Sequence, residues 1–258
     1  VGAQHFTLAA TARRLKGEAL DKLGRIAADA ATSPLNRIIE GDPSIGIITS
    51  GVCFLHTMEA VGELSISPSV LKLGITHPLS KELVGAFLKG KKTVVVVEEL
   101  MPYLESEVRS IAQEVAPSVH VCGKLTGDFP YVGEYSIPVV AEGLASSLSL
   151  DYRSPYGSYG ERAAELTKGI PNRSPIFCPG CPHRATYWAV QQALKGTSYV
   201  LNNDIGCYSM FLMEPYQTTD SLLCMGASLG ISSGMQHILK DKVVAFVGDS
   251  TCFHAALP

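Results

Sequence analysis

Apolar residues in this chain fall into short, dense runs set between stretches of helical period. Residues 44–50, 70–74, 93–97 and 119–123 are each compact, apolar and of strand length. Runs that are apolar throughout, rather than alternating, suit strands buried on both faces. Between them, 57–63, 80–88 and 104–115 read as helices, with Ser80 placed as an N-cap. Strand and helix in alternation predict βαβ units on a parallel sheet, here one doubly wound domain over 41–125. Upstream, Leu8, Ala12, Leu15, Leu20, Leu23 and Ile26 recur at near-helical spacing and Pro34 follows, which predicts a linking helix over 4–32 within 1–40. Residues 126–175 are broken by Pro130, Gly133, Pro138, Pro155, Gly157 and Gly160. They predict a connecting segment, with a short helix at Ala141–Leu148. Residues 176–258 open a second α/β unit: a helix over 186–194, a strand at 199–202, a helix from Met225 to about Leu239, and a strand over Lys242–Val247. The fold class is α/β, with two doubly wound parallel-sheet domains, the second incomplete.

Composition narrows the function classes. The 258 residues are 46% apolar and 17% charged, as a globular chain requires, and the net charge of −3 offers no basic patch for nucleic acid. No apolar run approaches the ~18 residues of a membrane span. Seven cysteines, an odd number in a large α/β chain, argue against a disulfide framework and for a reducing, cytoplasmic setting. The first residue is Val1 rather than methionine, and the chain reads as an internal piece of a longer one.

Three places carry candidate chemistry. The apolar run 242–247 ends in Gly248-Asp249-Ser250-Thr251, which sets a carboxylate and two hydroxyls at the carboxyl edge of a sheet, where ligands bind in open α/β folds. Asp249 suits a magnesium ion, which takes hard oxygen ligands; the plainer alternative is a turn that caps the next helix. Met225-Gly226-Ala227 opens a helix with small residues, so that backbone amides can approach an anion. Cys178-Pro-Gly-Cys181 places two thiols three residues apart, and Cys207 follows another strand at the same predicted edge. Metal or iron–sulfur binding, a redox dithiol and inert cysteines are all open; zinc needs a fourth ligand, from His183, Cys224 or Cys252. Glu98 and Glu99, at the end of a strand, either start the next helix with acid or touch a ligand. His56 and His77 read as structural.

Taken together, the motifs resemble a known family. Phe177-Cys-Pro-Gly-Cys-Pro-His-Arg184, Asn203-Asp-Ile-Gly-Cys-Tyr208, Leu223-Cys-Met-Gly-Ala-Ser-Leu-Gly230 and Val247-Gly-Asp-Ser-Thr-Cys-Phe-His-Ala255 occur in that order. They are similar to the alpha subunits of indolepyruvate ferredoxin oxidoreductases, in the thiamine-diphosphate-dependent 2-oxoacid:ferredoxin oxidoreductase superfamily. Ile47-Ile-Thr-Ser-Gly51, Leu73-Gly-Ile-Thr-His-Pro78, Val97-Glu-Glu-Leu100 and Gly123-Lys124 resemble its transketolase-C-terminal-like domain. The resemblance implies oxidative decarboxylation of an aryl pyruvate, indolepyruvate, to an acyl-CoA with ferredoxin as electron acceptor. A smaller beta subunit is the implied partner. It implies thiamine diphosphate, with Asp249 on Mg2+. Met225, Gly226, Ala227, Gly248, Ser250 and Thr251 would contact the cofactor, with Asp204, Gly206 and Cys207 near it. His254 would face substrate. Cys178, Cys181 and Cys207 would be ligands of a candidate 4Fe-4S cluster, and Cys252 replaces an aromatic and takes no role. The second magnesium ligand, the activating glutamate and the ferredoxin-like domain of such enzymes do not occur in this sequence, so this stretch alone is expected to be inactive. The alternatives are a related enzyme for another 2-oxoacid and a non-catalytic cysteine–metal scaffold.

Overall fold

The structure, a computed structural model, describes residues 9–171 and 173–256. The chain divides into two compact units, residues 1–166 and 167–258.

The first unit is built on β2 (Asp42–Ser50), β3 (Pro68–Leu73), β4 (Thr93–Val97) and β5 (His120–Cys122). It opens with α1 (Ala9–Thr32) and β1 (Arg37–Ile39); the residues 4–8 expected to start that helix, Leu8 among them, lie outside the described residues. The sheet order is β1-β3-β2-β4-β5. All pairs are parallel except β1 on β3. The expected linking segment therefore carries an antiparallel edge strand, a frequent addition to parallel sheets, and at three residues it is too short to show a period.

Alternation along each strand sends neighbours to opposite faces. Ile48, Val94 and Val96 meet α3 (Lys81–Leu88) and α4 (Tyr103–Val115) through Val84, Leu88, Leu104 and Val108. Ile47, Val95 and Val97 meet the other side, where Cys53 and Ala60 of α2 (Gly51–Glu63) and Val140, Ala141 and Leu144 of α5 (Ile137–Leu148) are buried. Each fully buried side chain of this size contributes about 1.5–3 kcal/mol. α2 begins at Gly51, six residues before the expected Thr57, because the chain turns straight from strand into helix; Ser50 is its N-cap and makes no side-chain bond. Residues 126–150, expected as part of a connecting segment, lie within this unit. Phe129 and Tyr135 are buried there, and a Cβ on Gly143 would stand 2.2 Å from the Phe129 ring. α6 (Gly157–Thr167) follows and buries no side chain.

Strand ends in this unit carry buried charge. The Glu98 carboxylate, just past β4, accepts from the amides of Leu104 (2.7 Å) and Glu105 (2.8 Å) and so caps α4. Burial pushes the Glu98 carboxyl up, against these bonds. Lys124, 2% exposed, donates to the carbonyl of Pro130 and to the Tyr135 hydroxyl. Glu99 accepts from the amide of Tyr135 at 2.8 Å.

The second unit holds α7 (Pro182–Ala193), β6 (Tyr199–Asn202), a 3-10 helix (Cys207–Leu212), α8 (Ala227–Met235), β7 (Lys242–Ala245) and a one-turn α9 (Asp249–Thr251). β6 and β7 pair in parallel, Tyr199 with Lys242 through Asn202 with Ala245. Beyond the ladder the amide of Phe246 still donates to the carbonyl of Asn202 at 2.9 Å. The core is aromatic: Phe177, Phe211 and Phe246 are buried with Leu201, and Tyr187, Tyr208 and Tyr216 lean on them. Ring centroids lie 5.0 Å apart for Phe177–Phe211 and 5.4 Å for Phe211–Phe246. No described helix is long and apolar enough to cross a membrane.

Candidate functional site

Because β6 and β7 run parallel and in register, the segments that leave them emerge at one edge. After β6 come Asn203, Asp204 and Gly206; after β7 come Gly248, Asp249 and Ser250. Asn202, Asn203 and Asp204 are each no more than 2% exposed, so each needs internal partners. Asn202 donates to the Ser232 hydroxyl (2.8 Å) and accepts from that of Ser221 (2.5 Å). Asn203 donates to the carbonyl of Tyr208 (3.1 Å) and the hydroxyl of Thr219 (2.5 Å), which anchors the 3-10 helix.

Asp204 accepts the most bonds. Its carboxylate takes the Ser228 hydroxyl (2.7 Å) and the amides of Ile205 (2.9 Å), Gly226 (2.8 Å) and Ser228 (3.2 Å). Burial pushes this carboxyl up, but the bonds from Ser228, Gly226 and Ile205 outweigh it and hold it below the ordinary 3.8. A carboxylate depressed in the folded state stabilises that state above the unfolded value, and the contribution is lost as pH falls through the folded one. Chemical-denaturation midpoints of the second unit are therefore expected to drop on acidification below about pH 4, and Asp204→Asn should flatten that slope. An unaltered slope in the variant would count against the depressed carboxyl.

Gly226 sits at φ +90° as N-cap of α8. A Cβ there would approach the Ala255 Cβ to 3.0 Å, so the α8 turn lies directly against the π-helical turn of Cys252–Ala256. The structure thus brings the Gly226 turn against Ala255, four residues beyond the Gly-Asp-Ser-Thr segment. The amides expected to face a diphosphate are, however, engaged internally: Gly226 and Ser228 donate to Asp204, and Ala227 donates to the carbonyl of Cys224 at 3.0 Å. The Asp204 carboxylate is thus engaged by Ile205, Gly226 and Ser228. Met225 is 54% exposed beside this turn. Asp249, Ser250 and His254 are exposed and Thr251 is buried. Among the described residues the Asp249 carboxylate has no hydrogen-bond partner. Gly206, at φ +139°, starts the 3-10 helix and leaves Cys207 exposed.

The CxxC loop is a tight turn. Gly180 takes φ +71°, the amide of Cys181 donates to the carbonyl of Cys178 at 3.1 Å, and Cys181 is the N-cap of α7. The Cys181 thiol lies 3.1 Å from Nδ1 of His183, and the His183 ring meets Tyr208 edge-on at 4.6 Å. That ring contact draws the loop toward the turn bearing Cys207. It does not gather the thiols: among the described residues no group of three or more His, Cys, Asp or Glu is placed to hold a metal ion. The expected cluster of Cys178, Cys181 and Cys207 is thus not formed in this arrangement. Spacing along the chain sets which loops reach an edge, not how far apart their side chains end. Asp249 offers one exposed hard oxygen ligand of the kind magnesium takes. Sequence reasoning passed over Ser228, whose hydroxyl shares the Asp204 carboxylate; the available signal was the polar triplet Asn202-Asn203-Asp204 closing an apolar strand, which calls for buried partners.

Comparison with known proteins bears on the whole chain. The profile of the thiamine pyrophosphate enzyme C-terminal TPP binding domain matches residues 204–257, from the buried aspartate through the Gly-Asp-Ser-Thr turn. Indolepyruvate oxidoreductase subunit IorA of Archaeoglobus fulgidus is 37% identical over 97% of this chain. IorA of Methanothermobacter thermautotrophicus is 38% identical over 96%. The chain is similar to the IorA subunits over nearly its whole length. It spans about 40% of the length of these relatives. A third IorA, from Pyrococcus horikoshii, is 32% identical over 93% of the chain. Among solved structures, a 2-oxoglutarate:ferredoxin oxidoreductase from Magnetococcus marinus aligns over 55% of this chain and 24% of its own, at TM-score 0.39 and 14% identity.

Proposed function

We propose that this chain, similar to IorA subunits, is the part of a thiamine-diphosphate-dependent 2-oxoacid oxidoreductase subunit that receives the diphosphate end of the cofactor. The observation that carries this is the meeting of the Gly226 turn with the Gly248–Ala255 segment at the carboxyl edge of two parallel strands. Bound there, thiamine diphosphate would supply the electron sink that decarboxylation of a 2-oxoacid requires. The chain's own groups do the holding. Asp249 would give Mg2+ one carboxylate ligand, and Ser250 would donate its hydroxyl to a phosphate oxygen. Met225, half-exposed beside Gly226, would offer apolar contact. Gly226 leaves room for close backbone approach, where a side chain would meet Ala255. His254, exposed one turn on, is within the segment that would face substrate.

The finer reading is oxidative decarboxylation of indolepyruvate to an acyl-CoA, with electrons passed to ferredoxin, in a cytoplasmic complex with a smaller partner subunit. The names of the relatives support the aryl substrate. The assay is direct. The full-length subunit with its partner is given magnesium, thiamine diphosphate, CoA and a viologen acceptor, and supplied in turn with indolepyruvate, phenylpyruvate and pyruvate. Cofactor-dependent viologen reduction, strongest with an aryl pyruvate, is the expected result. Activity indifferent to thiamine diphosphate would sink the proposal, and preference for pyruvate would move it to another 2-oxoacid.

A further inference from the structure

We propose that Asp204 is a positioning residue, whose buried carboxylate occupies the N-terminus of α8 and sets the Gly226 turn beside the segment that receives the cofactor. This rests on the thiamine-diphosphate reading above.

The start of α8 lacks the usual means of satisfying its first amides. Its N-cap is Gly226, which has no side chain to accept a bond, and its first turn contains no acid. Asp204 supplies both from 22 residues upstream. One carboxylate oxygen takes the Gly226 amide at 2.8 Å; the other takes the Ser228 hydroxyl at 2.7 Å and the Ser228 amide at 3.2 Å. Bonds to an ionised acceptor are the strong class, and the partial positive charge of the helix end adds to them. With the Ala227 amide committed to Cys224, no amide from 226 to 228 is left for a second anion. The negative charge at this helix end is the protein's own. The diphosphate is therefore received on the Gly248–Ser250 side, and the Asp204 bonds fix the φ +90° turn that lies against Ala255, where an added Cβ would come to 3.0 Å. Asp204 acts on the cofactor through Gly226, without touching it.

Asparagine at this position keeps the size but turns an amide nitrogen toward N–H donors, so only one oxygen can still accept. In the full-length subunit with its partner, D204N is expected to weaken thiamine diphosphate binding in magnesium by about tenfold by calorimetry, the scale of a lost charged hydrogen bond. S228A, which keeps the carboxylate and removes its hydroxyl partner, should weaken binding by about threefold on the same grounds. The KM for the cofactor should rise in step, while kcat at saturating cofactor stays within about threefold of wild type, as for lost ground-state binding. A residue that merely held the fold would lower thermal stability and leave the cofactor KM of the folded protein unmoved. Wild-type affinity in D204N overturns the inference, as does a loss of kcat with affinity unchanged. Should D204N fail to fold, S228A decides, and unchanged affinity there overturns the inference. A wild-type protein that does not bind thiamine diphosphate overturns the functional reading and this inference together; binding by wild type with an unaffected D204N overturns the inference alone.

Discussion

Asp249→Ala in the full-length subunit should abolish most of the magnesium-dependent binding of thiamine diphosphate and lower its activity by about a hundredfold or more, about 2.7 kcal/mol at 1.36 kcal/mol per decade. The carboxylate stands exposed at the start of α9, just beyond a strand, and none of the described residues hydrogen-bonds it. An acid so placed has no structural duty to lose. Its removal should leave the denaturation midpoint within about 0.5 kcal/mol of wild type, as at surface positions. Water can fill the vacated position on magnesium but brings no negative charge, so the carboxylate's hold on the ion is lost. Ser250→Ala, which takes away a neutral hydroxyl at the same turn, should cost only a few-fold, about 1 kcal/mol. Calorimetric titration of cofactor with and without magnesium separates the two variants. Equal magnesium dependence in wild type and Asp249→Ala would remove Asp249 from the metal.

The largest loss of stability is expected at Glu105. It is fully buried, accepts the amide of Leu125 at 3.0 Å and Nε of Arg109 at 2.9 Å, and pairs with the Arg109 guanidinium at 2.8 Å. Arg109 also donates to the carbonyl of Val121 at 2.6 Å, so one ion pair ties α4 to β5 and to the loop after it. Gly123 is shaped around this carboxylate: a Cβ there would fall 2.4 Å from Glu105 Oε2. Glu105→Ala leaves the Leu125 amide without its acceptor and removes the partner of a guanidinium 36% exposed to solvent, which together cost about 2–4 kcal/mol. Denaturant unfolding followed by far-UV circular dichroism is the readout. Glu105→Gln, which keeps the volume and one acceptor, should lose roughly half as much and stay folded if the alanine does not. A loss below about 1 kcal/mol in Glu105→Ala would show that the pair contributes little beyond its own desolvation.

How much could be read beforehand varied with the physics of each segment. The strands of the first unit were visible because both of their faces are buried: a run such as Thr93–Val97, with Val94 and Val96 on one face and Val95 and Val97 on the other, has no polar position to blur it. The start of α2 was not, since Gly51 to His56 offers no capping side chain and the helix is held instead by the strand that feeds it. α5 was half visible. Its proline and glycine look like breakers, yet Pro138 falls in the first turn, where proline is tolerated, and Gly143 faces the Phe129 ring. At the candidate site, the Gly-Asp-Ser-Thr turn and the Gly226 helix start were legible as strand-end and helix-start signals. The bond from Asp204 to Ser228 was not, because it spans 24 residues and follows from tertiary placement alone. A shared predicted edge does not bring the three cysteines together; the structure turns Cys181 toward His183 and leaves Cys178 and Cys207 in solvent.

Two helices, α4 and α8, begin against a carboxylate that the chain carries in from the end of a preceding strand, Glu98 in one case and Asp204 in the other. A helix start left bare collects whatever anion the surroundings offer. Inorganic phosphate, nucleotides and sugar phosphates are all rivals for such a place. With these two starts already filled from within, those competitors find no foothold there, and a phosphate-bearing ligand has fewer wrong places to rest.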